Sequence, residues 1–343
     1  MARRYKIGLI RGDGAGPEIT SVAIDILSQL LSSIEIVELN AGYEYYKRTG
    51  KPYEEDLFDK ILELDAILKG PLTTPPGPGT FRSINVLLRQ KLGLYANIRP
   101  FTSFRGVSRA SFNFVIIREN TEGLYAGLEG RFKDTAFTVR VVSEEGSRRI
   151  CEYAFNYALE EGFKRVTLVH KANILKETDG LFREVFYKIA KKYSRITADE
   201  ILVDTAAYRL VREPWVFQVL VTPNLYGDIL SDEAAGLVGS LGLCGSAQIG
   251  ENIGVFEPVH GSAPDIAGKG LANPIGQVMA SAYMLKYLGR KYSDVSLIKA
   301  SQSLIRAAKI VIEEYRVLTQ ELGGDAGTRD VGEAIMKALG LKA

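Results

Sequence analysis

The sequence is poor in the residues that several common kinds of site require. It has only two histidines, His170 and His260, so a zinc site built from several histidines is excluded, and a Ser-His-Asp triad has little to draw on. The two cysteines, Cys151 and Cys244, lie far apart and match no metal-binding spacing. We expect both to be buried in a reducing compartment, and we expect catalysis to depend on lysine, tyrosine, aspartate and arginine.

Long apolar runs and a strong net charge are also lacking. No apolar run is long enough to span a bilayer, so no transmembrane helix is expected. The chain enters a strand pattern directly, which predicts no signal peptide and a cytoplasmic protein. The net charge is only +2, so no overall field favours nucleic acid or an acidic membrane as a partner. The length of 343 residues suits one large or two medium domains.

Short apolar runs alternate with amphipathic stretches through most of the chain. The runs predicted as strands are residues 5–10, 66–69, 114–118, 137–142, 166–170 and 201–204. The stretches predicted as helices are residues 16–31, 84–92, 147–160 and 180–191, with a capping box at 330–333 opening the last helix. This alternation predicts an α/β protein with a mostly parallel sheet.

Two glycine-rich segments follow predicted strands. Residues 12–16 invite comparison with a dinucleotide-binding glycine loop, but Pro17 stands where its third glycine would be in register. No acidic strand end follows at the usual distance, so a tight turn into the helix is the better interpretation. The proline- and glycine-rich loop 71–79 is a natural ligand site, because it follows a strand of an α/β fold.

Asp228 and Asp232 are four residues apart in a stretch predicted as a helix, with Asn224 as its cap. At that spacing both carboxylates project from one helix face. A hard divalent cation such as Mg²⁺ or Mn²⁺ would relieve their repulsion. The alternative is a pair of solvated acidic residues near a helix start, which the helix dipole favours.

Three arginines, Arg89, Arg99 and Arg118, provide a second signal. Arg118 ends an apolar strand, where a buried guanidinium needs an anionic partner. Several arginines beside a metal suit a small polycarboxylate, because a guanidinium can bind a carboxylate through two hydrogen bonds. Each arginine alone is more often part of a structural ion pair.

Seven motifs in order along the chain resemble the β-decarboxylating dehydrogenases, the family of isocitrate, homoisocitrate and 3-isopropylmalate dehydrogenases. They are residues 12–18, 95–100, 118–125, 170–173, 224–232, 256–265 and 268–274. The resemblance implies a two-domain fold that is not a Rossmann fold. Residues 1–100 and 245–343 would form a large cofactor-binding domain, and residues 101–244 a small domain with the dimer interface and metal-binding residues. It also implies a homodimer with shared active sites, and leaves open whether dimers pair into tetramers.

The resemblance gives individual positions a role. The residues expected to bind the substrate's malate carboxylates and the metal are Arg89, Arg99, Arg118, Asp228, Asp232 and Asp204 of the partner subunit. Lys171 of the partner subunit would help to deprotonate the substrate hydroxyl, directly or through water or Asp204. After hydride transfer and loss of CO₂, Tyr125 would protonate the enolate. Without the surrounding motifs, Lys171 and Tyr125 would be taken for a surface lysine and a packed aromatic.

The resemblance also locates the cofactor. The residues expected to contact it are Thr73, Thr74, His260, Gly261, Ala263, Pro264, Asp265, Ile266 and Asn273. Thr73 and Thr74 would lie near the nicotinamide and Asn273 near the adenine. An acidic residue at Asp265 suits a free ribose diol and would repel a 2′-phosphate. NADP-using members of the family carry a Lys-Tyr pair where this chain has Asp265-Ile266, so the sequence predicts NAD.

The segment before Arg89 bears on the substrate. Isopropylmalate enzymes present apolar residues there, whereas Ser83 and Asn85 resemble the hydroxyl and amide that meet the γ-carboxylate of isocitrate. Arg82 suits the longer carboxylate arm of homoisocitrate. We therefore expect isocitrate first, homoisocitrate second and isopropylmalate third, because unpaired polar groups would reject an isopropyl group. In the alternative, Arg82 faces solvent and Ser83 only caps the helix.

Two other classes of function are open. One is a catalytically silent regulatory subunit, against which the joint presence of the expected catalytic and metal-binding residues argues. The other is a nucleic-acid-binding module, which the near-neutral charge disfavours. Gln218 and Gln248 stand where relatives tend to have an acidic residue and an asparagine, and neither has an assigned role.

Overall fold

One large sheet organises the molecule. In the computed structural model, which describes residues 3–75 and 80–342, ten strands form this sheet and two form a separate hairpin. The strands β1 to β12 are Tyr5–Ile10, Ile34–Glu38, Ala66–Lys69, Ala96–Thr102, Asn113–Glu119, Gly123–Phe132, Thr135–Val141, Arg165–His170, Thr197–Leu202, Val219–Thr222, Gly245–Ile249 and Gly254–Pro258. The helices α1 to α11 are Gly16–Leu30, Tyr43–Thr49, Leu57–Leu62, Ile84–Lys91, Glu144–Glu161, Thr178–Ala190, Val203–Arg212, Asn224–Val238, Ile275–Lys291, Val295–Ile310 and Thr328–Ala338.

The large sheet is mostly parallel, as the sequence predicts. Its strand order is β2-β1-β3-β12-β11-β4-β5-β10-β8-β9. Among the described strands, six neighbouring pairs are parallel and three are antiparallel, all three involving β11 or β4 at the centre. The predicted α/β class is confirmed. The predicted domain boundary at residues 100/101 falls inside β4, and the one at 244/245 falls at the start of β11; the division itself stays a prediction.

Buried apolar residues line the sheet. β10 is buried along its whole length and β5 at all but its first residue, because helices pack beside them. Cys151 and Cys244 are free and buried, as predicted. In the part of the chain that the structure describes, no helix is long and apolar enough to cross a membrane. The cytoplasmic location stays a prediction.

Two predicted element boundaries were wrong. The strand expected at residues 201–204 ends at Leu202, and Asp204 lies in the first turn of α7, where the helix dipole favours a carboxylate. The last helix begins at Thr328 rather than after Asp330. The Asp330 carboxylate accepts a hydrogen bond from the Gly327 N–H at 2.7 Å, so the acidic residue closes the first turn from inside the helix.

The glycine-rich segment after β1 is the predicted tight turn. Gly12 and Gly14 have φ values of +88° and +60°. A Cβ on Gly14 would lie 2.1 Å from the carbonyl oxygen of Ser262, and the Ala15 N–H donates to that same oxygen at 2.8 Å. Only glycine fits there, and the turn serves to hold the loop that follows β12.

Candidate active site

A row of polar side chains crosses one face of the central strands. Gln248 on β11 lies opposite Asn97 on β4, and Asn97 lies opposite Arg118 on β5. Because side chains alternate along a strand, Arg99 shares this face while Ile98 points to the other. The four polar residues of this face are buried. Buried polar groups need partners, so this face differs from an ordinary apolar core.

Helix α8 covers this face and brings the two aspartates to the arginines. Arg99 Nη2 lies 3.7 Å from Asp228 Oδ1, and Arg99 Nη1 lies 3.7 Å from Asp232 Oδ1. Arg118 forms a closer ion pair with Asp228, which confirms the prediction that its guanidinium has an anionic partner. A Cβ on Gly227 would lie 2.7 Å from Arg118 Cβ, so glycine lets the helix approach the strand this closely.

Asn224 does not cap α8, contrary to the prediction. Pro223 occupies the N-cap position, and Asn224 is the first helical residue. Its Oδ1 accepts hydrogen bonds from Arg118 Nε at 2.9 Å and Nη2 at 2.7 Å, and its Nδ2 donates to the Glu122 carbonyl oxygen at 3.0 Å. The Arg118 guanidinium is fully buried, and leaving its donors unpaired would cost more free energy than a missing cap.

Tyr125 belongs to the same cluster. Its hydroxyl donates to Asp228 Oδ2 at 2.6 Å, and its ring centre lies 5.0 Å from the Arg118 guanidinium carbon. Burial and the hydrogen bond to Asp228 raise the pKa of Tyr125, so the hydroxyl keeps its proton at neutral pH. Burial raises the pKa of Asp228, but Arg118, the Tyr125 hydroxyl and Arg99 outweigh it and hold that pKa below its usual value.

The aspartate pair fits a divalent cation. Burial raises the pKa of Asp232 and repulsion from Asp228 adds to this, although Arg99 opposes both. Two adjacent carboxylates of which one is incompletely paired are the ligands that Mg²⁺ or Mn²⁺ prefers. Among residues 3–75 and 80–342, no three His, Cys, Asp or Glu side chains lie together as a metal site would require. The predicted third ligand, Asp204, is therefore not brought to the pair within one chain.

Lys171 and Asp204 form a separate pair. Lys171 Nζ donates to Asp204 Oδ1 at 2.7 Å, and this hydrogen bond lowers the pKa of Asp204. The Lys171 backbone N–H donates to Asp179 Oδ2 at 2.6 Å, and the buried Asp179 pairs with Arg140 at 2.6 Å. Lys171 thus has a rigid base. In the described chain neither member of the pair contacts Asp228.

The predicted substrate segment lies on and before α4. Asn85 and Arg89 are one helical turn apart and share a face. Asn85 Oδ1 is buried without a hydrogen-bond partner in the described chain, which suits a ligand donor. Ser83 caps the helix through the Val86 N–H at 3.5 Å, and Arg82 is exposed. Ser83 and Arg82 therefore occupy the positions that the alternative interpretation gave them.

Three residues of the site were given no role by the sequence analysis. Gln248 Oε1 accepts from Arg89 Nε and from Asn120 Nδ2, both at 2.8 Å. Its Nε2 donates to Glu257 Oε1, and the other oxygen of Glu257 pairs with Lys69. Lys69 ends the apolar strand β3 just as Arg118 ends such a run, and that signal could have identified it. No comparable signal marked Gln248.

The predicted cofactor loop, residues 260–266, is tied to two other loops. Thr73 donates its N–H to Asp13 Oδ2 at 2.8 Å and its hydroxyl to Ser262 Oγ at 2.7 Å. Asp13 also accepts the N–H groups of Tyr43 and Glu44 at the start of α2, each at 2.9 Å. These bonds hold the loop after β12 beside the loop after β3. Residues 76–79 of the latter, within the predicted ligand loop, lie outside the described residues.

Most predicted cofactor residues are accessible. Thr74, Gly261, Ala263, Pro264 and Asp265 are exposed. Ala263 has a φ of +43°, a left-handed conformation that starts the turn Pro264–Ile266. In the part of the chain described, the Asp265 carboxylate has no hydrogen-bond or ion-pair partner. It is therefore available to accept hydrogen bonds from a ligand.

Asn273, Ile266 and His260 are more enclosed. Asn273 is buried, its Oδ1 accepts the Ile275 N–H at 3.0 Å, and its Nδ2 donates to Glu321 at 2.9 Å. Its side chain keeps one N–H free for an adenine. Ile266 is half-buried against the apolar cluster beside α1. Burial lowers the pKa of His260, so its ring is neutral at neutral pH, and its buried Nε2 has no partner in the described chain.

A cavity of about 670 Å³ on the opposite face of the sheet is not the candidate active site. The charged residues along it already pair with each other. Lys286 lies 2.6 Å from Glu161, and Arg290 lies 2.9 Å from Glu160, which joins α9 to α5. The unpaired charges and open hydrogen-bonding groups lie on the arginine-aspartate face.

Comparisons with known proteins agree with this geometry. A family model described as isocitrate/isopropylmalate dehydrogenase matches residues 6–335. Homoisocitrate dehydrogenase of Methanocaldococcus jannaschii is 44% identical, over 96% of this chain and 96% of that protein. 3-Isopropylmalate dehydrogenase of Methanothermobacter thermautotrophicus is 42% identical, over 98% and 99%. An NADP-named isocitrate dehydrogenase of Rickettsia bellii is 40% identical, over 100% of this chain and 71% of that protein.

A solved structure shows the same fold. The crystal structure of isocitrate dehydrogenase from Methylococcus capsulatus superimposes with a TM-score of 0.93 at 46% identity, over 98% of this chain and 99% of that chain. The names of these relatives divide among three substrates and do not agree on the cofactor. Sequence matches along almost the whole chain and a shared fold confirm the resemblance: the chain belongs to the isocitrate/isopropylmalate dehydrogenase family, the β-decarboxylating dehydrogenases.

Proposed function

We propose that the protein catalyses the NAD-dependent oxidative decarboxylation of a 2-hydroxy tricarboxylic acid, isocitrate or homoisocitrate, with Mg²⁺ or Mn²⁺. One observation carries the proposal: Arg99 and Arg118 converge on Asp228 and Asp232, with Arg89 close enough for its charge to act on theirs. A hydroxy acid with several carboxylates is the ligand that matches neighbouring guanidinium groups beside a metal site.

The charge of the site favours a trianionic substrate over a dianionic one. The linked charged groups are four cations and three carboxylates, which leaves one net positive charge. The cations are Lys69, Arg89, Arg99 and Arg118, and the carboxylates are Asp228, Asp232 and Glu257. A divalent cation would raise the net charge to three, which a tricarboxylate would balance and isopropylmalate would not.

The protein's own groups suit the proposed steps. The arginines would hold the substrate carboxylates and fix the orientation of the carbon that loses hydride. The bound cofactors would supply a hydride acceptor and Lewis-acid stabilisation of the negative charge that develops. The Tyr125 hydroxyl keeps its proton until the enolate needs it, because burial raises its pKa. Buried side chains around Arg118 would exclude water from this proton transfer.

We propose that the active protein is a homodimer in which Lys171 and Asp204 serve the partner's site. Two observations support this. The pair does not contact Asp228 or Asp232 within the described chain, and large apolar side chains remain exposed on the hairpin and on α7 and α8. The most exposed of these are Phe132, Phe137, Tyr208, Val211 and Ile229. In this proposal residues 101–244 form the small domain that pairs. Whether dimers join into tetramers stays open.

The substrate is tested by measuring NAD reduction with Mn²⁺ and comparing kcat/KM for isocitrate, homoisocitrate and 3-isopropylmalate. We expect a tricarboxylate to be preferred to isopropylmalate by about 10²-fold or more, because an isopropyl group would leave the buried Asn85 Oδ1 unpaired. Preference for isopropylmalate would mean that the charge of the site does not select the substrate. A folded dimer that turns over none of the three would favour the silent regulatory subunit.

The cofactor is tested by exchanging the residues proposed to meet the adenosine ribose. We expect Asp265→Lys with Ile266→Tyr to lower kcat/KM for NAD and raise it for NADP by about 10-fold or more each, because a carboxylate that accepts from the ribose diol becomes a cation facing the 2′-phosphate. Asp265→Asn should weaken NAD without improving NADP. Asp25→Asn, an exposed aspartate on α1, is the matched control and should change neither value. An unchanged NAD preference in the double variant would remove Asp265 from cofactor recognition.

A further inference from the structure

Gln248 occupies the centre of a buried chain of polar groups. It lies on β11 with β12 on one side and β4 on the other, and it is 2% exposed. Both acceptor positions of its Oε1 are used, by Arg89 Nε and Asn120 Nδ2 at 2.8 Å each. Its Nε2 donates to Glu257. Two donors on one side and a carboxylate on the other leave the amide a single favourable orientation.

The bond from Gln248 determines how Arg89 is presented. It holds Arg89 at Nε, and the terminal nitrogens Nη1 and Nη2 have no protein partner in the described chain. Those two nitrogens are the pair with which a guanidinium binds a carboxylate bidentately when Nε is already engaged. An arginine fixed at its inner nitrogen loses less side-chain freedom on binding a ligand than a free one.

The amide also separates Arg89 from the nearest buried carboxylate. Glu257 would be an obvious ion-pair partner for Arg89, yet its two oxygens bind Gln248 Nε2 and Lys69 Nζ. Lys69 is itself fully buried and donates to the Gly70 carbonyl oxygen at 3.0 Å. The charge of Glu257 is thus balanced by Lys69, and the charge of Arg89 stays available for a ligand.

We propose that Gln248 is a positioning residue: it orients Arg89 for a substrate carboxylate and keeps Glu257 from neutralising it. This inference rests on the proposed function only in taking an anionic hydroxy acid as the ligand of Arg89. The chemistry needs a neutral side chain that both accepts and donates. A carboxylate at this position would pair with Arg89 and repel Glu257, and a shorter amide would not span the distance between them.

The test compares Gln248→Glu and Gln248→Asn with the wild-type protein. We expect each to raise KM for the preferred hydroxy acid about 10–100-fold, the effect of losing a well-oriented charged contact, while kcat falls less and KM for the dinucleotide stays within about twofold. Binding of the hydroxy acid alone, measured by calorimetry, should weaken by the same factor. Calorimetry needs no turnover, so it decides the matter even if the reaction is not the one proposed.

Gln218 provides a matched control. Its Oε1 also accepts two N–H groups, those of Lys164 at 2.7 Å and Arg165 at 3.1 Å, but it lies away from the arginines. Gln218→Glu and Gln218→Asn should leave both KM values unchanged. In a double-mutant cycle, Arg89→Lys removes the Nε donor that Gln248 holds, so the effects of Arg89→Lys and Gln248→Glu should not multiply.

Three results would overturn the inference. One is an unchanged hydroxy-acid affinity in folded Gln248→Glu and Gln248→Asn. Another is an equal rise in both KM values, which would indicate a general packing role. The third is full multiplication of effects in the cycle. Wild-type protein that binds a hydroxy acid without oxidising it would contradict the proposed function alone, whereas wild-type protein that binds none would contradict both. If Gln248→Glu does not fold, Gln248→Asn and the cycle with it decide the question.

Discussion

Replacing Asp228 with asparagine is expected to lower kcat/KM by about 10³-fold, the largest effect of any single exchange in the site. Asp228 pairs with Arg118, accepts from the Tyr125 hydroxyl and is a proposed metal ligand. The exchange removes the charge on which all three depend while keeping the size of the side chain. Affinity for Mn²⁺ should fall together with activity, which a titration of activity against Mn²⁺ would measure.

The same exchange should reduce stability. Arg118 stays buried and charged after its ionic partner has gone, so the free energy of unfolding should drop by about 1–3 kcal/mol. Glu233→Gln is the control, because it makes the same chemical change on the same helix in a side chain with no ion-pair partner in the described chain. It should leave activity and stability close to wild type. If Asp228→Asn keeps activity within about tenfold, the aspartate pair is not the centre of the reaction.

Replacing Lys171 with methionine is expected to lower kcat by about 10²–10⁴-fold, the range typical of a lost general acid or base. Mixing should reverse this loss. When Lys171→Met subunits and Asp228→Asn subunits are unfolded and refolded together, mixed dimers pair an intact Asp228 with an intact Lys171 of the partner subunit. Half of the dimers would be mixed and each would have one complete site, so about a quarter of wild-type activity should return.

The mixing experiment decides between two arrangements of the site. If each chain built its own site, every subunit in the mixture would be defective and no activity would return. Lys176→Met, an exposed lysine after β8 with no ion-pair partner in the described chain, is the control and should stay active without mixing. Size-exclusion chromatography of each variant shows whether loss of activity reflects loss of the dimer. Recovery to wild-type level is not expected, since one site of each mixed dimer contains both exchanges.

Local patterns in the sequence determined much of the fold and part of the site. The alternation of apolar runs with amphipathic stretches predicted the α/β class, because backbone periodicity is a local property. The spacing of Asp228 and Asp232 placed both on one helix face for the same reason. Arg118 could be expected to find an anion, because a guanidinium at the end of an apolar run has nowhere else to put its charge.

Only the tertiary structure decided which distant residues meet. Gln248, Glu257 and Lys69 lie on β11, β12 and β3, strands that become neighbours through the order of the sheet, which no local pattern encodes. Asn224 fits the pattern of a helix cap, yet the buried charge of Arg118 took its amide instead, because tertiary burial outweighs a local cap. The sequence determined which chemical groups the site has, and the packing of strands and helices determined how those groups are paired and which of them stay free for a ligand.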